Sequence, residues 1–427
     1  MKKRMVLLVS GIIVCLSILS YFNVKSKNNL HKINTENKNN SISIMIKEDG
    51  EEEYKQSFYN TIPKGYYALN EEKTYCKNNG KVSNYDNTTG TISFSFIGTD
   101  ECRLFFDGYP PGYLKILNDN GGSTTIESKG SPSFSNASTT NDGMYAASDD
   151  YTATTGMKSY YYRGAVNNNW VKFGKDNEKD IYWRIIRING DGSIRMIYSG
   201  TNAPTSDSAT MTGNETQIKT NAYNNTRNNP SHVGYMYTTG QQHGNNLSSS
   251  IKWSLEAWYA GTTLKDNKLV SEDQIFCNDR SVTDGTWSSN TSTTTYYATR
   301  TRLYSYKRPT LICSTDNDKF TSKNSNLGNK ALTYPVGLIT ADEVAMAGGV
   351  VGTYNKSYYL YTNATYWAGS PAYFDGGNTA MGFIVMSTGD IDQFFTGHPA
   401  GMRAVISLST YAKLSGTGTW DDPYKVS

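Results

Sequence analysis

The sequence predicts an α+β fold with much irregular structure, and three observations carry that expectation. Apolar and polar residues alternate with a period of two in short runs such as Thr91-Ile92-Ser93-Phe94-Ser95-Phe96, the pattern of a half-buried strand. Two stretches carry helix signals instead, Ser249–Tyr259 and the segment after Thr340. Asn, Ser, Thr and Gly, the residues of turns, fill much of what remains. The 427 residues include 33 Tyr and 14 Phe, whereas charged residues supply only 19% and the net charge is +3. Abundant aromatics exclude a wholly disordered chain. A near-neutral balance excludes association with nucleic acid driven by bulk charge.

The chain opens on Met1-Lys2-Lys3-Arg4, followed by an apolar run from Met5 to Phe22. As a helix that run is roughly 27 Å long, enough to cross the hydrocarbon layer. The basic flank places its start in the cytoplasm. Residues 1–22 therefore read as an N-terminal membrane helix, a signal-anchor, with a cleaved signal peptide as the alternative. No small-x-small cleavage site fits well, and Val14 before Cys15 disfavours lipidation. Either way the rest of the chain is exported to the extracellular face of the cell membrane. Residues 23–43, polar and rich in Asn and Lys, read as a flexible spacer.

Beyond Cys15 four cysteines remain, and four in an exported chain suggest two disulfides. Proximity favours Cys76–Cys102 and Cys277–Cys313. A metal site is not expected, since there is no Cys-x-x-Cys and no His near either pair. Residues 44–107 contain strand-like runs at Ile44-Met45-Ile46, Gly65–Leu69, Thr91–Phe96 and Cys102–Phe106, giving a small β domain stapled by the first disulfide. At about 60 residues its core is marginal without the staple. Residues 108–157, dominated by Ser, Thr, Gly and Asn, read as a linker, with Tyr113–Leu117 able to extend either neighbour.

Residues 158–427 form the second domain. Its clearest element is a hairpin, Ile181–Ile188 and Ser193–Tyr198 about the turn Asn189-Gly190-Asp191-Gly192. That turn faintly resembles a calcium loop, but its twelfth position is Gly200 rather than Glu, so the calcium reading is rejected. A helix is expected over Ser249–Tyr259 with Ser248 as N-cap and Ile251, Leu255 and Trp258 on one face. Thr340-Ala341-Asp342-Glu343 is a capping box opening a second helix, which Gly348-Gly349 ends.

No catalytic set emerges. His31, His232, His243 and His398 show no ligand spacing, and the nucleophile-elbow, Walker and dinucleotide signatures are absent. Asp316-Asn317-Asp318 and Asp421-Asp422 read as solvated loop carboxylates, and Asp342 and Glu343 as helix-capping groups. No enzyme activity, cofactor or metal is expected. The C-terminal part does mix aromatics with small polar residues, a palette typical of recognition loops. Trp367, Phe383 and Val385 belong to the core by their alternation. Tyr373, Phe374, Asp375, Asn378, Phe395 and His398 flank turns and are the candidate ligand contacts.

Tyr366-Trp367-Ala368-Gly369-Ser370-Pro371, Gly382-Phe383-Ile384-Val385 and Gly401-Met402-Arg403-Ala404-Val405-Ile406-Ser407-Leu408 together resemble the C-type-lectin-like fold. The version resembled is that shared by formylglycine-generating enzymes and the variable proteins of diversity-generating retroelements. Tyr182–Arg187, Asn189–Arg195, Val233–Tyr237, Phe276–Arg280 and Gly337–Glu343 are similar to motifs of a group of exported proteins of low-GC Gram-positive gut bacteria. The resemblance implies a C-type-lectin-like domain over residues 158–427. It implies no oxidase activity, because no Cys follows Cys313, and no calcium-dependent sugar site, because Glu-Pro-Asn and Trp-Asn-Asp are missing. By analogy with the retroelement proteins it puts Tyr373, Phe374, Asp375, Asn378, Asp392, Phe395 and His398 on an exposed binding face. Gly401 and Arg403 become structural, Arg403 pairing with a carboxylate or with backbone carbonyls. The expected function is adhesion: an aromatic-rich face offered to an extracellular glycan or protein. A structural envelope component without a ligand is the alternative, and an enzyme on the same fold is a more distant one.

Overall fold

The computed structural model describes residues 40–427 apart from Asn60, Ile97, Ala209, Thr210 and Asp284. The apolar run from Met5 to Phe22 and most of the spacer, His31 included, lie outside the described residues. Among the described residues no helix is long and apolar enough to cross a membrane. The protein is α+β and mostly strand, divided into two compact units, Met1–Pro111 and Gly112–Ser427.

The first unit contains β1 (Ser41–Lys47), β2 (Lys55–Gln56), β3 (Tyr67–Leu69), β4 (Tyr75–Cys76), β5 (Lys81–Asp86), β6 (Thr91–Ser95) and β7 (Glu101–Gly108). β1 already begins inside the stretch read as spacer. It runs parallel to β7 at the centre of a five-stranded sheet ordered β2-β1-β7-β3, with β4 also on β7, while β5 and β6 pair as a separate hairpin. Register explains the core. Ile44 lies opposite Leu104, and Cys102, Leu104 and Phe106 alternate inward along β7. The alternation read in Thr91–Phe96 also appears, with Ile92 and Phe94 packed against this cluster and Thr91, Ser93 and Ser95 exposed. Cys76 and Cys102 face each other on β4 and β7 and are joined by a disulfide.

The second unit begins with α1 (Gly112–Asp119), α2 (Ser123–Ser128), β8 (Asn141–Ala147) and α3 (Thr152–Thr155). Residues 108–157 are therefore not a linker. Ile116, Leu117, Ile126 and Met144 there are buried in the main core, and the Ser, Thr and Gly around them form turns and close approaches. At Gly112 a Cβ would stand 2.5 Å from the Ala412 carbonyl oxygen, so only glycine fits.

Next come β9 (Ser159–Gly164), β10 (Trp170–Asp176), β11 (Lys179–Ile188) and β12 (Ile194–Tyr198), then β13 (Thr220–Ala222), β14 (Met236–Tyr237) and β15 (Leu247–Ser248). The expected hairpin is β11–β12, with Gly192 at φ +86° and Asp191 accepting from the Ser193 N–H in its turn. α4 (Ser250–Ala260) is capped by Ser249 rather than Ser248, because the Ser249 hydroxyl accepts from the Lys252 N–H. Ile251 and Leu255 are buried, while Trp258 is only half-buried and donates to Asp176.

The remaining elements are β16 (Phe276–Cys277), β17 (Thr294–Tyr296), α5 (Ala298–Thr301), β18 (Lys319–Phe320), α6 (Ala341–Ala347), β19 (Tyr366–Asp375), β20 (Ala380–Val385), β21 (Ile391–Phe395), β22 (Pro399–Gly401), β23 (Val405–Leu408), β24 (Leu414–Ser415) and β25 (Tyr424–Val426). One sheet of eight strands runs β23-β12-β11-β10-β25-β24, with β9 on β11 and β8 on β9. A second of six runs β13-β22-β19-β20-β21, with β17 on β19. The capping box of α6 is present in full between Thr340 and Glu343. Cys277 and Cys313 form the second disulfide. Arg403 is buried and donates to the Tyr198 and Leu360 carbonyls while stacking on Tyr366, a wholly internal role.

Candidate functional site

The antiparallel strands β17, β19, β20 and β21 place one residue of each in register: Tyr296 opposite Tyr373, Tyr373 opposite Met381, and Met381 opposite Phe395. Directly paired residues point to the same side of a sheet, so these four form one row. Tyr296 is 45% exposed and the other three are half-buried. On the opposite face, Thr295, Phe374 and Ala380 turn inward. The expectation that Phe374 joins the exposed face is thus corrected. As the strand neighbour of Tyr373 it points the other way, and it is fully buried with Val233, Tyr297 and Ala380.

The other candidates distribute along the end of this sheet. Asp375 and Asn378 are exposed in the β19–β20 turn, where the Asp375 carboxylate accepts from the Gly377 and Thr379 N–H groups. Asn378 holds φ +68°, a conformation Asn tolerates better than most residues. Asp392 is half-buried and accepts from the Gln393 N–H. His398 lies 4.3 Å from the Phe394 ring and 5.5 Å from Phe395, so the three rings form one cluster. Tyr373 and Phe395 therefore share the row, His398 adjoins its end, and Asp375 and Asn378 shape the neighbouring turn.

The row has partners from distant sequence. Tyr296 ends β17, Arg300 lies in α5 and Tyr304 in the helical turn after it, and the three side chains converge. The Arg300 guanidinium lies 4.2 Å from the Tyr296 ring, 4.9 Å from Tyr304 and 5.5 Å from Tyr373. Burial pushes the Tyr304 hydroxyl up to about 12, so it stays a neutral donor and acceptor at neutral pH. At the other end Arg227 stacks on Phe395 at 4.7 Å. Tyr296, Arg300, Tyr304 and Arg227 carry no local sequence signal of this placement, which comes from the β17–β19 pairing and from chain folding.

A second assembly is internal. Arg187 and Arg195 sit opposite each other on β11 and β12. Arg187 contacts Asp149 at 2.9 Å and Glu343 at 3.0 Å, and Arg195 contacts Glu343 at 2.6 Å. Nearby, Arg302 bridges Asp279 and Asp342. Capping alone thus does not account for Asp342 and Glu343. Burial raises the Glu343 carboxyl, but Arg195 and Arg187 outweigh it and hold the group below the usual carboxylate range. At Asp342 burial wins over Arg302 and the carboxyl is pushed up. Arg187, Arg195, Arg302, Asp279, Asp342 and Glu343 line one small pocket whose charged walls are mutually paired, an arrangement suited to holding β11, β12 and α6 together.

Two histidines merit comparison with catalytic geometry. His243 Nδ1 lies 3.0 Å from Asp318, as in an oriented general base, but Asp318 is already engaged by Arg280 at 2.7 Å. Among the described residues no hydroxyl or thiol is hydrogen-bonded to His243 Nε2, so the pair has no nucleophile to activate. Asp318 is also buried rather than solvated, because its carboxylate satisfies Arg280. His232 is buried beside Tyr237 with Nε2 3.3 Å from the Thr239 hydroxyl, and burial lowers its pKa from 6.5. The unfolded chain takes up a proton near 6.5 that the folded chain refuses. Stability present above that pH should fall below it, by no more than about 1.4 kcal/mol per pH unit. Urea melts across this range should show a shallower decline for His232→Gln, and an unaltered slope would rule out this origin.

The grouping of Cys76, Asp100 and Cys102 matches a metal-ligand set in spacing only. Its sulfurs are bonded to each other, and Asp100 accepts from the N–H groups of Asn78, Asn79, Gly80 and Glu101. No family model, curated protein or solved structure matches this chain.

Proposed function

We propose that this is an exported, membrane-tethered binding protein whose second unit is a C-type-lectin-like domain presenting the aromatic row to an extracellular ligand. The observation that carries the reading is the row itself. Tyr296, Tyr373, Met381 and Phe395 are aligned in register on one face of a sheet whose other face is packed into the core. A rigid backbone thus presents aromatic side chains with few rotatable bonds, giving contact area at low entropic cost. The two disulfides support an oxidising compartment.

Replacing Tyr296, Tyr373 and Phe395 together by Ala should leave the fold intact and weaken binding by at least about a hundredfold, since central aromatic anchors commonly carry 2 kcal/mol or more each. The measurement is binding of the full chain to a glycan and host-protein array, with circular dichroism checking the fold. A folded triple variant that binds as strongly as the unaltered protein would overturn the reading.

A further inference from the structure

We infer that the aromatic row takes a carboxylate-bearing oligosaccharide, with the Arg300 guanidinium receiving a sugar carboxylate. This rests on the binding-face reading and narrows it to a ligand class. Arg300 is half-buried and enclosed by three tyrosine rings, yet among the described residues its side chain has no ion pair and no hydrogen bond, and its Nε is buried without a partner. The buried arginines of the network behave differently. Arg187, Arg195, Arg280 and Arg302 each hold at least one carboxylate, and Arg403 donates to two backbone carbonyls. An enclosed cation without a counter-charge is costly unless something supplies one. Its planar fork matches a carboxylate bidentately, and the tyrosine faces fix it in place beforehand.

Arg227, at the far end of the row, is likewise without an ion pair among the described residues and stacks on Phe395. From Tyr296 to Phe395 the row crosses three strand spacings, about 14 Å. That length exceeds one sugar ring and suits an oligomer bearing acid groups along it. The apolar C–H faces of pyranose rings would lie on Tyr373, Met381 and Phe395. Asp375, two residues beyond Tyr373 on the same side of β19, has one oxygen committed to backbone N–H groups. Its charge disfavours an acid group at the β19–β20 turn and leaves the two guanidinium ends as the places for it.

The test uses the full chain and three probes: a hexasaccharide alternating glucuronic acid with N-acetylhexosamine, the same hexasaccharide with each carboxylate reduced to a primary alcohol, and a hexaglutamate peptide. The acidic hexasaccharide should bind best, and carboxyl reduction should weaken binding about tenfold or more, the worth of one hydrogen-bonded charge. Arg300→Gln should lose the same factor and no longer distinguish the acidic from the reduced probe, while Arg300→Lys should lose less. Equal binding of the reduced probe, preference for the peptide, no binding of any probe, or an unchanged Arg300→Gln variant would each overturn the inference. The broader reading fails separately, on the array, if the Tyr296, Tyr373 and Phe395 replacement binds undiminished.

Discussion

Glu343→Gln should lower the stability of the second unit by about 3–5 kcal/mol, the usual cost of removing one partner from a buried ion pair. Glu343 is the shared counter-charge of two arginines, and all three side chains are almost wholly buried. Arg187 keeps Asp149 after the change, but Arg195 keeps only the Ile275 carbonyl and the face of Phe276. The amide retains the acceptor that caps the Thr340 N–H, so the substitution isolates charge from helix capping. For a unit of this size the melting temperature should fall by roughly 6–10 °C. Pairing Glu343→Leu with Arg195→Met should recover much of the loss, because an apolar pair of similar volume replaces the ion pair. An unchanged melting temperature in Glu343→Gln would show that the network contributes nothing.

The same residue sets the acid limb. Its folded pKa is depressed, so the stability it contributes is present above its ordinary value of 4.5 and is lost as pH falls through the folded value. Asp342, whose folded pKa is raised, acts in the opposite sense and gains from acidification. Glu343→Gln should therefore flatten the acid denaturation curve, whereas Asp342→Asn should not.

Elements governed by local chemistry were legible in the sequence. The Asn-Gly-Asp-Gly turn, the Thr340–Glu343 capping box and the alternation in Thr91–Phe96 each depend on neighbours within a few residues. The pairing of four cysteines followed from chain proximity, and the structure forms both disulfides. What failed to be legible depends on long-range placement. Residues 108–157 look like linker because composition averages over their apolar residues, but Ile116, Leu117, Ile126 and Met144 need only a surface to bury against. The aromatic row was half legible. A turn-flanked aromatic is visible as such, but strand parity separates Tyr373 from Phe374. Nothing local announces that Tyr296 and Arg300 join the row from some 75 residues upstream, through the β17–β19 pairing. The arginine network was hidden for the same reason. A capping explanation for Asp342 and Glu343 is locally sufficient, and their counter-charges come from β11, β12 and the turn following α5.

Removing the first disulfide by Cys76→Ser with Cys102→Ser should unfold the first unit while leaving the second folded. In the chain-entropy model, a cross-link spanning a separation of 26 residues contributes about 3.5 kcal/mol. A unit of this size has a total stability of only about 4–10 kcal/mol at the usual per-residue value, so the loss is a large share of the whole. Its core offers little compensation. The fully buried apolar set is Ile44, Ile62, Cys102, Leu104 and Phe106, and Cys102 is itself one of the residues removed. The short β4 strand pairs with β7 at Tyr75 and Cys76, flanked by hydrogen bonds from Phe105 to Thr74 and from Lys77 to Glu101, so the disulfide is its one covalent restraint. Asp100 binds the chain just beyond it through the N–H groups of Asn78, Asn79 and Gly80, and that clasp should loosen once β4 is released. Hydrogen exchange should then show protection lost across β1 and β7, with the β11–β12 hairpin still protected. The corresponding Cys277→Ser and Cys313→Ser change should cost a similar free energy but leave its unit folded, since that core is far larger. Full protection of β1 and β7 in the Cys76 and Cys102 variant would mean that the small sheet holds together without its cross-link.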